Sequence, residues 1–460
     1  MNNFMRPILP ILLAASLLAG PAALAQINDG KPDPDFPVPD RLDLTYALAF
    51  ALDNNFTIRQ AKELIRQQDG VMLVVKSPLI PNVTGSGLYQ RNATEISSNG
   101  YNNNWAFDIT ARQTLFAGGG VVAGVKAQKL AIDAAVLELE QVINDVLFDV
   151  RTKFYTVIVD RDKIKVQEQN VGLLERQLQD VKNRFDAGTV SNFEVLRAEV
   201  ALANAQPALI TARNDYRVAI EEVRQVLGFV AVTDSNLTKT PDFLGTLDFT
   251  PETFDLHTAL ATAREKRPDL QRLHKLESAA EEGVYVSRAN YYPNVSAFGS
   301  YDWREGSAFL GPASPSQLHG WTVGVESQWN IFDGRATRGR VAQAKSLLEQ
   351  SKLSTAQAQL SADVDVRRAI STFQQANELA AASKKVIEQA EESLRLANAR
   401  FAAGTATQLD VLQAQTDLTT ARLNQLQAYY SYNIATATVR KAMGLTDEMR
   451  PTGELPWPPK

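Results

Sequence analysis

Two acids stand at matching places in a chain that repeats itself. Glu194 follows Gly188-Thr189, and Asp410 follows Gly404-Thr405. An acid just past a turn and ahead of a helical stretch is most simply a solvated charge or a complement to the positive helix N-terminus. Chemistry beyond charge finds little support. The three histidines, His257, His274 and His319, are scattered, with no carboxylate cluster at ligand spacing. There is no cysteine, so neither disulfides nor thiolate chemistry is available. These residues offer no catalytic constellation and no metal or cofactor site, and the chain reads as a non-enzyme. Gly118-x-Gly120-x-x-Ala123 follows a strand and opens a helix, as a dinucleotide fingerprint does. That fingerprint needs a crossover to a parallel strand within about thirty residues, and here the helix runs on for twice that length. The glycines are better suited to a sharp strand-to-helix bend. Asn82-Val83-Thr84, Asn92-Ala93-Thr94 and Asn294-Val295-Ser296 match a glycosylation pattern so short that it carries no weight.

The elements that hold the two acids come in duplicate, 216 residues apart. Arg184-Phe185-Asp186-Ala187-Gly188-Thr189 returns as Arg400-Phe401-Ala402-Ala403-Gly404-Thr405. Val195, Leu196, Ala198, Leu202, Ala212, Tyr216, Ala219, Val223, Arg224 and Gly228 match Val411, Leu412, Ala414, Leu418, Ala428, Tyr432, Ala435, Val439, Arg440 and Gly444 without a gap. A duplicated unit of long helices and short β segments points to a conduit.

Residues 1–25 carry Arg6, an apolar run Ile8–Ala19 and Ala23-Leu24-Ala25 before Gln26. That is the pattern of a secretory signal peptide, too short for a spanning helix. Its loss leaves the mature chain one unit more negative than the full-length −5, which is no footprint for nucleic acid. No other stretch approaches 18 consecutive apolar residues, so a membrane form cannot rely on helices.

A proline-rich lead-in covers 31–40. A helix is predicted from Asp43 to about Lys76, stopped by Pro78 and Pro81. Strands follow at Asn82–Gln90 and from Trp105, separated by the loop Arg91–Asn104. Trp105, Phe107, Ile109 and Ala111 alternate with Asp108, Thr110 and Arg112. Leu115-Phe116-Ala117-Gly118-Gly119 opens a long helix to about Lys182. The second half replays the order. A helix from about Asp255 to Ala289 should kink or restart at Arg267-Pro268. One strand starts at Pro293-Asn294-Val295, with Val295, Ala297, Tyr301 and Trp303 on one face. After the loop Glu305–Gly320, Trp321, Val323, Val325, Trp329 and Ile331 face one way, and Thr322, Glu326, Gln328 and Asn330 the other. Ile331-Phe332-Asp333-Gly334 leads into the second long helix. The domain expectation is therefore a signal peptide (1–25), a first repeat (26–228), a connector lying against the helices (229–254), a second repeat (255–444) and a tail (445–460).

Heptads run through the helices. Val136, Ile143, Val150, Val157, Ile164, Val171, Leu178 and Phe185 form one seam; Lys153, Asp160 and Gln167 interrupt the other. Ala198, Ala205, Ala212 and Ala219 recur in the first repeat. In the second, Ala362, Ala369, Ala376, Ala390 and Ala397 climb one helix, and Ala414, Ala421, Ala428, Ala435 and Ala442 descend the next. A 3.5-residue period implies left-handed supercoiling, with alanine allowing close axes. About 65 residues at ~1.5 Å each make a rod of roughly 100 Å. One hairpin of that length cannot bury both its faces.

Each β segment has the length and alternation of a membrane-spanning strand, with Tyr89, Trp105, Trp303 and Trp321 near strand ends as in an aromatic girdle. Four strands cannot close a barrel, and open edges are forbidden in lipid. The chain must pool strands with copies of itself: two copies give eight and three give twelve, and the sequence does not choose.

Taken together, the duplicated helix–hairpin–helix layout, the Arg-Phe-x-x-Gly-Thr turns, the Pro-Asn-Val strand starts and the Phe-Ala-Gly and Phe-Asp-Gly sequences after the second strands resemble the TolC-type outer-membrane efflux proteins over essentially the whole mature chain. The resemblance implies a mainly α fold with transmembrane β: duplicated helix–β-hairpin–helix repeats that form, as a homotrimer, a 12-stranded outer-membrane β-barrel continuous with a long periplasmic α-helical barrel. It implies a passive exit duct in outer-membrane lipid, served by a periplasmic adaptor and an inner-membrane transporter, with no cofactor and no nucleic acid. The turns bearing Arg184, Gly188, Arg400 and Gly404 would be the periplasmic entrance, where three chains bring Glu194 and Asp410 into a ring of six acids that favours cations. Relatives latch this entrance with a tyrosine and an arginine. Here those positions hold Phe401 and Ala406, so that latch is absent or differently built, and Arg184 and Arg400 are left to partner neighbouring carboxylates. Asp108, Arg112, Glu326 and Gln328 would face the barrel lumen, with Phe107, Ile109, Val323 and Val325 toward lipid. The rival reading is a periplasmic coiled-coil adaptor or structural rod without a pore, which leaves the duplication and the aromatic strands unexplained. The cargo is not written in these residues.

Overall fold

The computed structural model describes residues 40–91, 103–229, 240–305 and 317–445. The signal peptide, the proline-rich lead-in up to residue 39, the pattern at Asn92, most of both strand-connecting loops, residues 230–239 of the connector and the tail from 446 lie outside the described residues.

Each repeat supplies two short helices, a β-hairpin and two long helices. In the first these are α1 (Leu44–Asn54), α2 (Phe56–Lys76), β2 (Asn82–Arg91), β3 (Asn103–Ala117), α3 (Gly120–Asp186) and α4 (Asn192–Leu227). In the second they are α5 (Leu256–Lys266), α6 (Pro268–Arg288), β5 (Asn294–Glu305), β6 (Gln317–Gln328), α7 (Ala336–Ala402) and α8 (Gln408–Ala442). Both α3 and α7 are 67 residues long, about 100 Å at ~1.5 Å per residue. A two-residue β1 (Arg41–Leu42) pairs in parallel with β4 (Asp242–Phe243). Between the repeats, Phe243 and Leu247 are buried against the helices, and Arg161 donates to the Phe243 and Gly245 carbonyls at 2.6 and 2.9 Å.

The hydrophobic period predicts one helix from Asp43 to Lys76; the structure has two. Asn55 leaves helical conformation with ψ 128°, and its side chain caps the next helix by accepting from Thr57 N (2.8 Å) and Ile58 N (3.2 Å). The same amide donates to the Val226 carbonyl at 2.6 Å. A cap that also feeds a distant carbonyl outweighs continued helix. The expected restart at Arg267-Pro268 does occur, with Pro268 opening α6.

The four long strands form one antiparallel sheet in the order β2-β3-β5-β6. Pairing of Arg304 with Leu318 and Trp303 with His319 extends the last hairpin, so β6 begins at Gln317 inside the predicted loop. It ends at Gln328, so Trp329 and Ile331 lie beyond the strand on which the alternation had put them. Gly118 and Gly119, both at positive φ, make the turn from β3 into α3. Their counterparts are Gly334 and Arg335, the latter the one non-glycine residue at positive φ (75°) among the described residues.

The alanine seams are buried within a single chain except toward the end of α7, where Ala390 and Ala397 are only half-buried. Ala198, Ala205, Ala212 and Ala219 on α4, and Ala414, Ala421, Ala428, Ala435 and Ala442 on α8, all lie in the core, as do Ala362, Ala369 and Ala376. Coverage is incomplete elsewhere: Phe185, at the end of its seam, is 42 % exposed, and Leu353 and Leu360 on α7 face outward.

Candidate channel entrance and sheet face

Each long hairpin closes with the same turn. Gly188 (φ 70°) and Gly404 (φ 74°) adopt the left-handed conformation that glycine accepts without strain. Thr189 N bonds back to Arg184 O, and Thr405 N to Arg400 O, each at 2.9 Å. The threonine hydroxyls donate to the same carbonyls at 2.9 and 3.1 Å. Arg-x-x-x-Gly-Thr is thus a helix stop in which the arginine carbonyl, in the last turn, is satisfied twice.

The two acids sit at equivalent positions of the following helices but keep different company. Asp410 and Thr407 form a capping box: Thr407 N and Oγ1 donate to the carboxylate at 2.7 and 2.8 Å, and Asp410 N donates to Thr407 Oγ1 at 3.3 Å. The Thr407 backbone N–H foremost, then its hydroxyl, with the Arg400 charge as a smaller contribution, hold the Asp410 carboxyl below its ordinary range. Glu194 makes no such box. It lies 3.6 Å from Arg197, and the buried Gln408 amide donates to its Oε2 at 2.6 Å and its backbone O at 3.3 Å.

Gln408 therefore ties the second turn to the first. A second tie lies beside it: the Arg184 guanidinium stands 4.7 Å over the Phe401 ring. Arg184, expected to serve a carboxylate, rests on an aromatic face. Arg400 acts on Asp410 through its charge. Sequence reasoning missed Gln408, although its repeat partner Asn192 is also an amide at the head of a helix. Further up, α8 lies on α3, with Gln415 Nε2 donating to Asn170 Oδ1 at 3.2 Å and Arg422 to Gln169 at 3.0 Å.

The sheet gathers Asp108, Arg112, Glu326 and Gln328 on one face through the register Asp108↔Asp302, Arg112↔Phe298, Ser296↔Glu326 and Asn294↔Gln328. Phe107, Ile109, Val323 and Val325 occupy the opposite face and are all exposed. Such a sheet, polar on one side and apolar on the other, cannot rest alone in water. Among the described residues no helix is long and apolar enough to cross a membrane, and no group of three or more His, Asp or Glu could hold a metal ion. His274 lies near Glu277 and Gln359, far in sequence from His257 and from His319 on β6.

Long paired helices joined through a β-sheet with one apolar face define a membrane channel subunit. The chain belongs to the outer membrane efflux protein family, whose profile matches residues 48–229 and 259–445, one segment per repeat. It is 24 % identical over 440 residues to the outer membrane efflux protein BepC of Brucella suis, covering 94 % of this chain and 89 % of that one. It is 26 % identical over 399 residues to protein CyaE of Bordetella pertussis, covering 84 % and 81 %. Its fold matches the CmeC outer membrane channel of Campylobacter jejuni with a TM-score of 0.74 at 17 % identity, over 87 % of this chain and 85 % of that one. The chain is accordingly an outer-membrane efflux component of a family of channels rather than enzymes.

Proposed function

We propose that the chain is the passive exit duct of a tripartite efflux or type I secretion system. It works as a homotrimer in outer-membrane lipid, opened by a periplasmic adaptor and fed by an inner-membrane transporter. One observation carries this reading: an amphipathic four-stranded sheet with both edge strands unpaired in the chain, continuous with two 67-residue helices. Because the strand count is even, β6 of one chain runs antiparallel to β2 of the next, so copies add without breaking the ladder. Three copies make twelve strands, between the eight whose lumen side chains fill and the sixteen that hold an aqueous channel. In this reading the face of Asp108, Arg112, Glu326 and Gln328 lines the lumen. The entrance is formed by the turns of Arg184, Gly188, Arg400 and Gly404, and Glu194 and Asp410 ring it. Residues 1–25 direct export, and the repeats (26–228 and 255–444) are joined by the connector 229–254, with 445–460 as the tail.

The experiment is purification from membrane fractions in mild detergent, native mass spectrometry, and reconstitution in a planar bilayer. A stable trimer that conducts ions is expected. A freely soluble periplasmic protein, or a monomer that never conducts, overturns the reading.

A further inference from the structure

Arg112, on β3, reaches across β5 to β6. Its Nη1 donates to Glu326 at 2.7 Å and to Ser296 Oγ at 3.1 Å, and the guanidinium stands 5.8 Å over the Phe298 ring. Ser296 is buried, 7 % exposed. Phe298 is the one aromatic on the polar face within the described ladder. It lies across Gly324, where an added Cβ would meet the ring at 3.0 Å. The guanidinium is thus held in place by two oxygens and an aromatic face, and among the described residues its charge partner is Glu326. These residues lie near the end of the sheet that joins the helices, since β3 leads into α3 and β5 follows α6.

The other charges on this face are Asp108, Asp302 and Arg304, toward the opposite end. Asp108 and Asp302 are direct cross-strand partners, and Arg304 bonds Asp302 at 3.2 Å. The face therefore has two levels: one near the helices where a cation and an anion cancel, and one farther out where two carboxylates face a single guanidinium.

We propose that the Arg112–Glu326 pair determines the charge selectivity of the barrel near its helical end. Neutralised within each chain, it presents no net charge at that level, so solutes of either sign pass it, and any cation preference of the sheet comes from the Asp108–Asp302 level. This rests on the lumenal assignment of the polar face. Removing one partner exposes the other in three copies at one height. Screening acts over about 8 Å at physiological salt, so each uncovered charge on the lumen wall acts on ions that pass within that reach.

The test is the reversal potential of single channels under a KCl gradient. Arg112→Gln should raise the cation-to-anion permeability ratio severalfold, Glu326→Gln should lower it severalfold, and the double substitution should fall between them. Unmoved ratios in single variants that still conduct overturn the proposal. A second measurement spares the pair itself. In Gln328→Cys, the only thiol in the chain, positively and negatively charged methanethiosulfonates should react at similar rates. A strong preference for either reagent overturns the proposal. A parent protein that inserts no channel overturns the duct reading instead, which keeps the two failures apart.

Discussion

The Arg184 guanidinium lies 4.7 Å from the centroid of the Phe401 ring, so the turn of the first long hairpin rests on the turn of the second. The Gln408–Glu194 hydrogen bond runs beside it. In the proposed duct these two contacts hold the tips of one chain together, and loosening them should favour the open entrance. Arg184→Ala and Phe401→Ala should each raise the resting single-channel conductance. Because both remove one contact, worth about 0.5–1 kcal/mol for an exposed cation–π pair, the double variant should conduct no more than either single one. Additive effects would mean that the two side chains act separately.

Much of this architecture is legible in the sequence because its signals are local. The heptads and the strand alternation each need only neighbouring residues, and the 216-residue repeat shows once the two halves are laid side by side. What stays hidden depends on distant partners. Asn55 breaks the first helix because the Val226 carbonyl, 171 residues away, receives its amide. Gln408 finds Glu194, and Arg184 finds Phe401, only once the two repeats have packed. Strand ends fall in the same class: β6 reaches Gln317 because β5 offers Glu305 as a partner.

The alanine seams predict a sharp contrast between neighbours. Ala428 is 8 % exposed in the core shared by α7 and α8, whereas Gln427 points outward. Ala428→Leu inserts bulk between close helix axes and should cost about 1–3 kcal/mol. Gln427→Leu should change stability by less than about 0.5 kcal/mol. Thermal melts of the two variants give the comparison, and equal melting temperatures would rule out close packing at Ala428.

Arg335 occupies the left-handed conformation (φ 75°) that glycine holds at the equivalent Gly119. An L-residue there carries a penalty of about 1–2 kcal/mol that glycine avoids. Arg335→Gly should therefore raise the melting temperature despite the greater freedom of glycine in the unfolded chain. Gly119→Arg should lower it. A lower melting temperature for Arg335→Gly would show that the arginine side chain contributes more than its backbone costs.

The capping box makes the second long-hairpin turn acid-sensitive. The Asp410 carboxyl titrates below its ordinary value in the folded chain because Thr407 donates two hydrogen bonds to the ionised form. Its contribution is therefore fully present above the unfolded aspartate pKa, about 3.9. It is lost as pH falls through the lower folded value. Amide exchange in the first turn of α8 should quicken across that acid window in the parent, beyond the intrinsic pH trend. Asp410→Asn, which cannot titrate, should show only the intrinsic trend. Identical profiles would mean that the box does not hold the turn.

Glu194 and Asp410 head equivalent helices, so in the proposed trimer six carboxylates would ring the proposed entrance at closely similar depth. Oxygen-rich acidic rings suit hard cations. Hexammine-cobalt or magnesium added on the helical-tip side should therefore block single-channel current, and Glu194→Ala with Asp410→Ala should weaken that block. The structure adds a ranking between the acids. Asp410 Oδ2 accepts both the backbone N–H and the hydroxyl of Thr407, so much of that charge is already engaged at its own helix cap. Among the described residues, Glu194 has Arg197 at 3.6 Å and the neutral Gln408 amide. Glu194→Ala alone should thus weaken the block more than Asp410→Ala alone. Asp410→Ala should show its main effect as a lower melting temperature, through loss of the carboxylate half of the capping box. If the double variant is blocked as tightly as the parent, the two acids are helix-end charges and the cation site of the entrance lies elsewhere.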